Sequence, residues 1–311
     1  MTKKPKALVL FSGGLDSMLS ALILRERGIR VVPVCFFSYF FNCDKAHSAA
    51  RELGLELKKI DFSREHLKMV KNPRYGRGSG MNPCVDCHLL MLKKSRQTMK
   101  KEGCDFVVTG EVLGQRPFSQ NRGALELMER KAGLKGMIVR PLSVKLLPET
   151  IPEKKGLIKR EWFYDIMGKS RKPQLALAKR FKIKNIPMPA GGCILTDSVF
   201  SRRLRELFQL KKNFSGSDIE LMKSGRVFFK NNLLIIVARN EAECKELIKK
   251  RKKGDLVLEP SFFPGPTVLV RRIKKSSPQE MIDCGTELLL EYSKNVPEDA
   301  VIRILPFPKS C

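Results

Sequence analysis

Residues 9–24 read VLFSGGLDSMLSALIL. A short apolar run ends at Ser12-Gly13-Gly14, and from Leu15 onward apolar residues recur at helical spacing, so the stretch predicts strand, tight turn and helix. A glycine-rich turn of this kind lets backbone N–H groups converge on a phosphate at the helix N-terminus. In that reading Gly13 and Gly14 supply positive φ and close approach, Ser12 and Ser17 supply hydroxyl donors, and Asp16 holds Mg2+ against the phosphates. A plain strand-to-helix turn capped by Asp16 or Ser17 uses the same residues. The lysine of GxxxxGK[ST] is missing, which disfavours kinases and motors of that class.

Outward from this loop, β-rich runs alternate with helical patterns: ALVLF, RVVPVCFF, LELKKIDF and DFVVTG are separated by helices. The alternation predicts an α/β fold, a doubly wound parallel sheet wrapped by helices. Ligands of such sheets sit beyond the carboxyl ends of the strands, which singles out SGGLDS, FSYFFNCD and TGEVLGQRPFSQ. After NIPMPAGGCILTD the texture changes, and a boundary near Thr196 gives two domains, 1–196 and 197–311, the second a smaller α+β unit. In it RVFFKNN and LLIIVARN read as a hairpin.

The chain carries 60 Lys and Arg against 32 Asp and Glu, a net charge of +28, which favours a polyanionic partner. Up to Thr196 there are 38 basic against 17 acidic residues (+21), and beyond it 22 against 15 (+7). Residues 153–185 interleave Lys and Arg with Trp162, Phe163, Tyr164 and Phe181, a mixture suited to phosphate contacts and base stacking, or to a solvated helical face over a core. The basic start lacks a signal-peptide core, and VVPVCFFSYFF is too short to span a bilayer, so a cytoplasmic protein with no membrane partner is expected.

Nine cysteines without an export signal argue against a disulfide framework and for thiol or metal chemistry. Cys84 and Cys87 form a CxxC after a glycine-rich segment, and Cys193 follows Gly191 and Gly192. Such thiolates suit a metal centre, either an iron–sulfur cluster with one iron left open or a Zn2+ site completed by His88. Cys35, Cys43, Cys104, Cys244 and Cys284 are expected to be inert buried thiols, and Cys311 a frayed end.

SGGLDS after an N-terminal strand resembles the signature of the PP-loop ATP pyrophosphatases, which split ATP between its α- and β-phosphates. NPCVDCH, a following helix and FVVTGEVLGQRPFSQ are similar to the tRNA thiouridine synthetases, both the 4-thiouridine synthase and the 2-thiouridylase type. The resemblance implies Asp16, Cys84 and Cys193 as catalytic residues. It implies Cys84, Cys87 and Cys193 as ligands of a [4Fe-4S] cluster, and Phe36, Gly110 and Gln120 as nucleotide contacts beside the loop. The Gly-to-Gln spacing is one residue longer than in the 4-thiouridine enzymes. With the loop starting at residue 12, their N-terminal RNA-binding extension is expected to be absent. Residues 226–304 resemble the NFACT RNA-binding domain of ribosome-quality-control proteins, a possible substitute grip on the RNA.

The function expected is ATP-dependent tRNA thiolation. A uridine carbonyl oxygen is adenylated and replaced by sulfur, delivered as sulfide or by a persulfide-carrying protein. The alternatives are a zinc-stabilised nucleotide- and RNA-binding protein and an adenylating amidase of a small molecule.

Overall fold

The computed structural model describes residues 4–188 and 193–306. The chain divides into two compact units, Met1–Thr196 and Asp197–Cys311.

In the first unit β1 (Lys6–Leu10), α1 (Leu15–Glu26), β2 (Arg30–Phe37), α2 (Asp44–Glu52), β3 (Lys58–Asp61), α3 (Ser63–Lys71) and α4 (Cys84–Lys101) alternate. They are followed by β4 (Phe106–Val108), α5 (Arg122–Ala132), β5 (Ile138–Val139), the short α6 (Ile151–Lys154) and α7 (Lys172–Arg180). All five strands are parallel, in the order β3-β2-β1-β4-β5. A parallel sheet needs both faces covered. Ala7 and Val9 of β1 accordingly enter one core with Leu15, Leu19 and Ala178, while Leu8 between them enters another with Leu92, Leu125 and Met128. The strand order reverses on either side of β1. The crevice at the carboxyl ends of β1 and β4 is therefore the ligand position of this architecture.

The second unit holds α8 (Ser198–Leu210), α9 (Gly216–Leu221), β6 (Arg226–Lys230), β7 (Leu233–Val237), α10 (Glu241–Lys250), β8 (Leu256–Pro260), β9 (Val268–Arg272), α11 (Pro278–Glu291) and β10 (Ile302–Ile304). Its sheet is antiparallel, β10-β8-β9-β7-β6. Asn231 and Asn232, both at positive φ, turn β6 into β7 as the hairpin pattern requires.

One expectation is corrected. Cys35 and Cys43 are joined as a disulfide from β2 to the start of α2, with Cα atoms 6.0 Å apart. The return of the chain through the Ser38–Phe41 bridge brings them together. Of the two readings of residues 153–185, the aromatics fit the one in which they cover the core. Phe163 is buried, and Trp162, Tyr164 and Phe181 pack against the same cluster, with Arg27 over Trp162 and Arg180 over Phe181. Among the described residues no helix is long and apolar enough to cross a membrane.

Candidate functional site

The turn after β1 is built by close backbone approach. Gly13 has φ +75°, and a Cβ there would stand 2.4 Å from the backbone carbonyl of Lys45, so the turn presses on α2 as only glycine allows. On the other side a Cβ on Gly110 would lie 2.7 Å from the Ser17 nitrogen, so the end of β4 rests on the first turn of α1. Gly14 departs from expectation: it is the extended N-cap of α1, φ −76°, and needs no positive φ. Neither Asp16 nor Ser17 caps the helix; the Ser17 hydroxyl donates to the Gly14 carbonyl at 2.8 Å, and Ser12 Oγ lies 3.3 Å from Ser17 Oγ. The N–H groups of Leu15 and Asp16 meet no acceptor among the described residues. Open amides at a helix N-terminus make an anion cradle.

Asp16 stands at its rim. Its Oδ2 accepts from Gln115 Nε2 at 3.2 Å, while Oδ1 is buried without a partner. Burial pushes its carboxyl above the usual range, against the pull of Gln115, Gln174, Arg171 and Arg116. A carboxylate held dry with one free oxygen suits a divalent cation. Two amides are left in the same condition. Gln120 is 5% exposed with Oε1 unpartnered, and Gln174 on α7 is fully buried with neither polar atom in hydrogen-bond geometry, though its amide lies near enough to Asp16 to favour the carboxylate. Phe36, also expected beside the nucleotide, has its ring buried edge-on against Phe62, 5.5 Å between centroids, within the sheet's core.

The cysteine loop adjoins this pocket. Cys84 opens α4 and Cys87 follows one turn later, so both lie on one helix face. Asp86 fixes the preceding segment by accepting from the backbone nitrogens of Arg74 at 3.0 Å and Tyr75 at 2.9 Å. Met81 N–H donates to the Leu195 carbonyl at 2.8 Å, tying the loop to the segment of Cys193. Burial pushes the Cys87 thiol well up, and the neighbouring Cys193 and Cys84 push in the same direction. Burial also raises Cys84, opposed by Arg116 and Asn82. Arg116 thus acts on both Asp16 and Cys84 and places thiol and carboxylate in one electrostatic neighbourhood.

As a donor set, three crowded thiols fit a cationic centre, which would relieve the mutual repulsion of their thiolates. Among the described residues no three His, Cys, Asp or Glu side chains stand in metal-holding geometry. His88, the fourth ligand of the zinc reading, bonds through Nδ1 to Glu111 at 3.0 Å. Glu111 also binds Thr109 at 2.9 Å and Arg140 at 3.0 Å. Burial works against its charge, but Arg140 and His88 outweigh that and hold it at about 2. Gly191, Gly192 and Cys311 lie outside the described residues.

Gln115, Arg116, Arg171 and Gln174, which all act on Asp16, had no sequence signal strong enough to single them out as its neighbours. Gln115 and Arg116 fall inside the quoted TGEVLGQRPFSQ loop, but Arg171 and Gln174 come from α7, whose composition reads as a solvated basic helix.

Residues 2–146 match the model of the family described as thiamine biosynthesis protein (ThiI). A probable tRNA sulfurtransferase of Methanosarcina mazei is 33% identical over 116 residues, 35% of this chain and 29% of that protein. The tRNA-specific 2-thiouridylase MnmA 3 of Bacteroides fragilis is 34% identical over 112 residues, 34% of this chain and 31% of that protein. The match thus spans about a third of the length of these two relatives. Among solved structures, the U34-tRNA thiolase NcsA from Methanococcus maripaludis with its [4Fe-4S] cluster aligns with a TM-score of 0.35 at 18% identity, covering 70% of this chain and 71% of that one. Over residues 2–146 the chain is similar to the ThiI family, and the first unit that holds this stretch is a five-stranded parallel sheet with helices on both faces.

Proposed function

We propose that the chain is an ATP-dependent tRNA-thiolating enzyme. The observation that carries this reading is the loop after β4, whose Gln115 donates to Asp16 at 3.2 Å beside the open amides of α1 and whose Phe118 ring stands against Gly78 in the segment leading to Cys84, with Arg116 between them favouring the charge of both groups. Nucleotide activation and sulfur handling then occupy one crevice. The names of the relatives over residues 2–146 support the same chemistry.

In this reading the amides of Leu15 and Asp16 and the Ser12 hydroxyl receive the pyrophosphate portion of ATP. The free oxygen of Asp16 takes Mg2+, whose charge offsets that of the phosphates. A uridine carbonyl oxygen attacks the α-phosphorus and pyrophosphate leaves; sulfur then adds to the ring carbon, AMP departs with the oxygen, and C=S replaces C=O. Gln120 and Gln174 offer their unpartnered amides to the nucleotide and its hydration. Cys84, Cys87 and Cys193 would hold a [4Fe-4S] cluster, which when bound supplies an iron able to carry sulfide. Arg116 favours the thiolate of Cys84 against the burial that opposes it.

The test is product analysis with α-labelled ATP and unmodified tRNA. AMP and pyrophosphate are expected only when tRNA is present, together with thiouridine when a sulfide source is added. Cys84→Ala, Cys87→Ala and Cys193→Ala are each expected to lose thiouridine while keeping pyrophosphate release. ADP as product, or pyrophosphate release driven by a small amide acceptor without tRNA, overturns the proposal.

A further inference from the structure

Between the C-terminal half of α4 and the last turn of α5 lies an open groove of about 500 Å3. Its charged lining is Lys93, Arg96 and Lys100 from α4 with Arg130 and Lys131 from α5, and no acidic residue lines it. None of the five makes an ion pair or side-chain hydrogen bond among the described residues. Cations nearby are treated differently: Lys94 pairs with Glu65 at 2.6 Å, Lys58 with Glu102 at 3.0 Å, and Arg140 with Glu111 at 3.0 Å.

Lys93, Arg96 and Lys100 stand at i, i+3 and i+7, one stripe of a helix, where like charges oppose each other by a few tenths of a kcal/mol per pair, roughly. Cations do favour helix C-termini, which accounts for Arg130 and Lys131 at the end of α5. It also covers Lys100 in the last turn of α4, but not Lys93 and Arg96 in the helix interior facing them. Gly133, the left-handed C-cap of α5 with φ +68°, keeps the space open: a Cβ there would come within 2.8 Å of Arg96 Nη1. The fold therefore gathers five like charges around one opening and leaves them uncompensated.

We infer that this groove is a docking surface for the phosphodiester backbone of RNA. The lining holds no aromatic or large apolar side chain for a base or an acyl chain, and its only uncharged polar side chain is Gln97. Its openness suits a polymer crossing it. The stripe begins nine residues after Cys84 on the same helix, so it lies about 14 to 24 Å from the thiol along the axis at roughly 1.5 Å per residue. At about 100° per residue the stripe lies on the opposite side of α4 from Cys84, so an RNA molecule with a nucleotide at Cys84 reaches it with a neighbouring part of its backbone that curves round the helix. The inference rests on the tRNA-thiolating reading and adds to it the path of the substrate's backbone, on a face separate from residues 153–185.

The experiment compares wild type with the triple variant Lys93→Gln, Arg96→Gln, Lys100→Gln in tRNA binding at several salt concentrations, alongside Mg-ATP binding, thermal unfolding and product formation. Removing three phosphate contacts is expected to weaken tRNA binding at least about tenfold and to flatten the dependence of log K on log salt by about 2 to 3. Mg-ATP affinity should stay unchanged and the melting temperature equal or higher. Unchanged tRNA affinity and salt slope in the variant, beside a wild type that thiolates tRNA, overturn the groove and leave the activity standing. A wild type that binds tRNA through the groove but forms no thiouridine supports the groove and overturns the activity. Groove-dependent binding of phosphatidylserine vesicles with tRNA affinity unaffected overturns the RNA assignment in favour of a membrane surface.

Discussion

Each unit buries a cluster of polar side chains, and the two clusters are finished differently. In the second unit Arg271, 5% exposed, donates to Asp255 at 2.7 Å and to Asp218 at 3.1 Å, and reaches the Ser217 carbonyl at 3.1 Å. Asp218 in turn accepts from Lys211 at 3.1 Å and from the Ser215 nitrogen at 2.8 Å. In the first unit Asp16 Oδ1, Gln120 Oε1 and both polar atoms of Gln174 are buried with no partner in hydrogen-bond geometry. A buried polar group without a partner costs stability, so a fold retains it where something else completes it. The Arg271 cluster pairs its charges within its own unit, whereas the Asp16 cluster keeps unmet hydrogen-bonding groups, which is what the proposed nucleotide site requires.

That contrast breaks most visibly at Arg271. Arg271→Met leaves Asp255 without its cation and Asp218 with Lys211 alone, and is expected to cost about 3–5 kcal/mol of stability. Chemical denaturation followed by a probe in the second unit measures it, and adding Asp218→Asn and Asp255→Asn should restore much of the loss. Mg-ATP binding should not change. A loss under about 1 kcal/mol would mean that the network is not the keystone of its unit.

Asp16→Ala is the opposite case. Pyrophosphate release should fall about 10²- to 10³-fold, the scale of removing one fixed electrostatic partner of the reacting charge. Stability should rise. Burial places the folded-state pKa of Asp16 above its unfolded value, so its ionisation in the folded state is unfavourable and weighs against folding as pH climbs above the unfolded pKa of about 4. The gain should therefore be present at pH 7 and shrink as the pH approaches 4. A variant that loses both activity and stability would make Asp16 a structural residue.

The sequence makes the open cluster only partly legible. SGGLDS and the TGE segment announce themselves, because glycines at a strand end and a lone carboxylate at a helix start have few uses. The parallel sheet was readable from alternating runs for the same reason, local pattern matching global need. Gln174 was not readable. Its neighbours Lys172, Lys179 and Arg180 are polar, and only the packing of α7 onto α1 turns one face of that helix inward. The Cys35–Cys43 link stayed hidden because the chain is folded back by a tight turn closed between Ser38 and Phe41, within an apolar aromatic run that carries no glycine or proline turn signal. The strand β8 was missed as well, since GDLVLEP has a short apolar run flanked by charge, and it takes its place only by pairing with β9 and β10.

Gln174 offers the sharpest separation between the two kinds of cluster, because one substitution moves two observables in opposite directions. Its amide is fully buried, has no partner in hydrogen-bond geometry, and lies close enough to the Asp16 carboxyl to favour its charge. Gln174→Leu keeps the volume and removes the stranded donors and acceptor, so the ligand-free protein should gain about 1–3 kcal/mol, the usual penalty of an unsatisfied buried group. Mg-ATP binding should weaken about tenfold if the amide completes the nucleotide's surroundings, the worth of one hydrogen bond of about 1.4 kcal/mol. Gln174→Glu, which keeps an acceptor but adds a charge next to Asp16, should bind Mg-ATP no better than the leucine variant and melt lower. If Gln174→Leu is less stable than wild type, the amide has a partner within the protein and belongs with the Arg271 kind of cluster. If stability rises while Mg-ATP affinity stays, the pocket is completed by groups other than α7, and the helix only walls it.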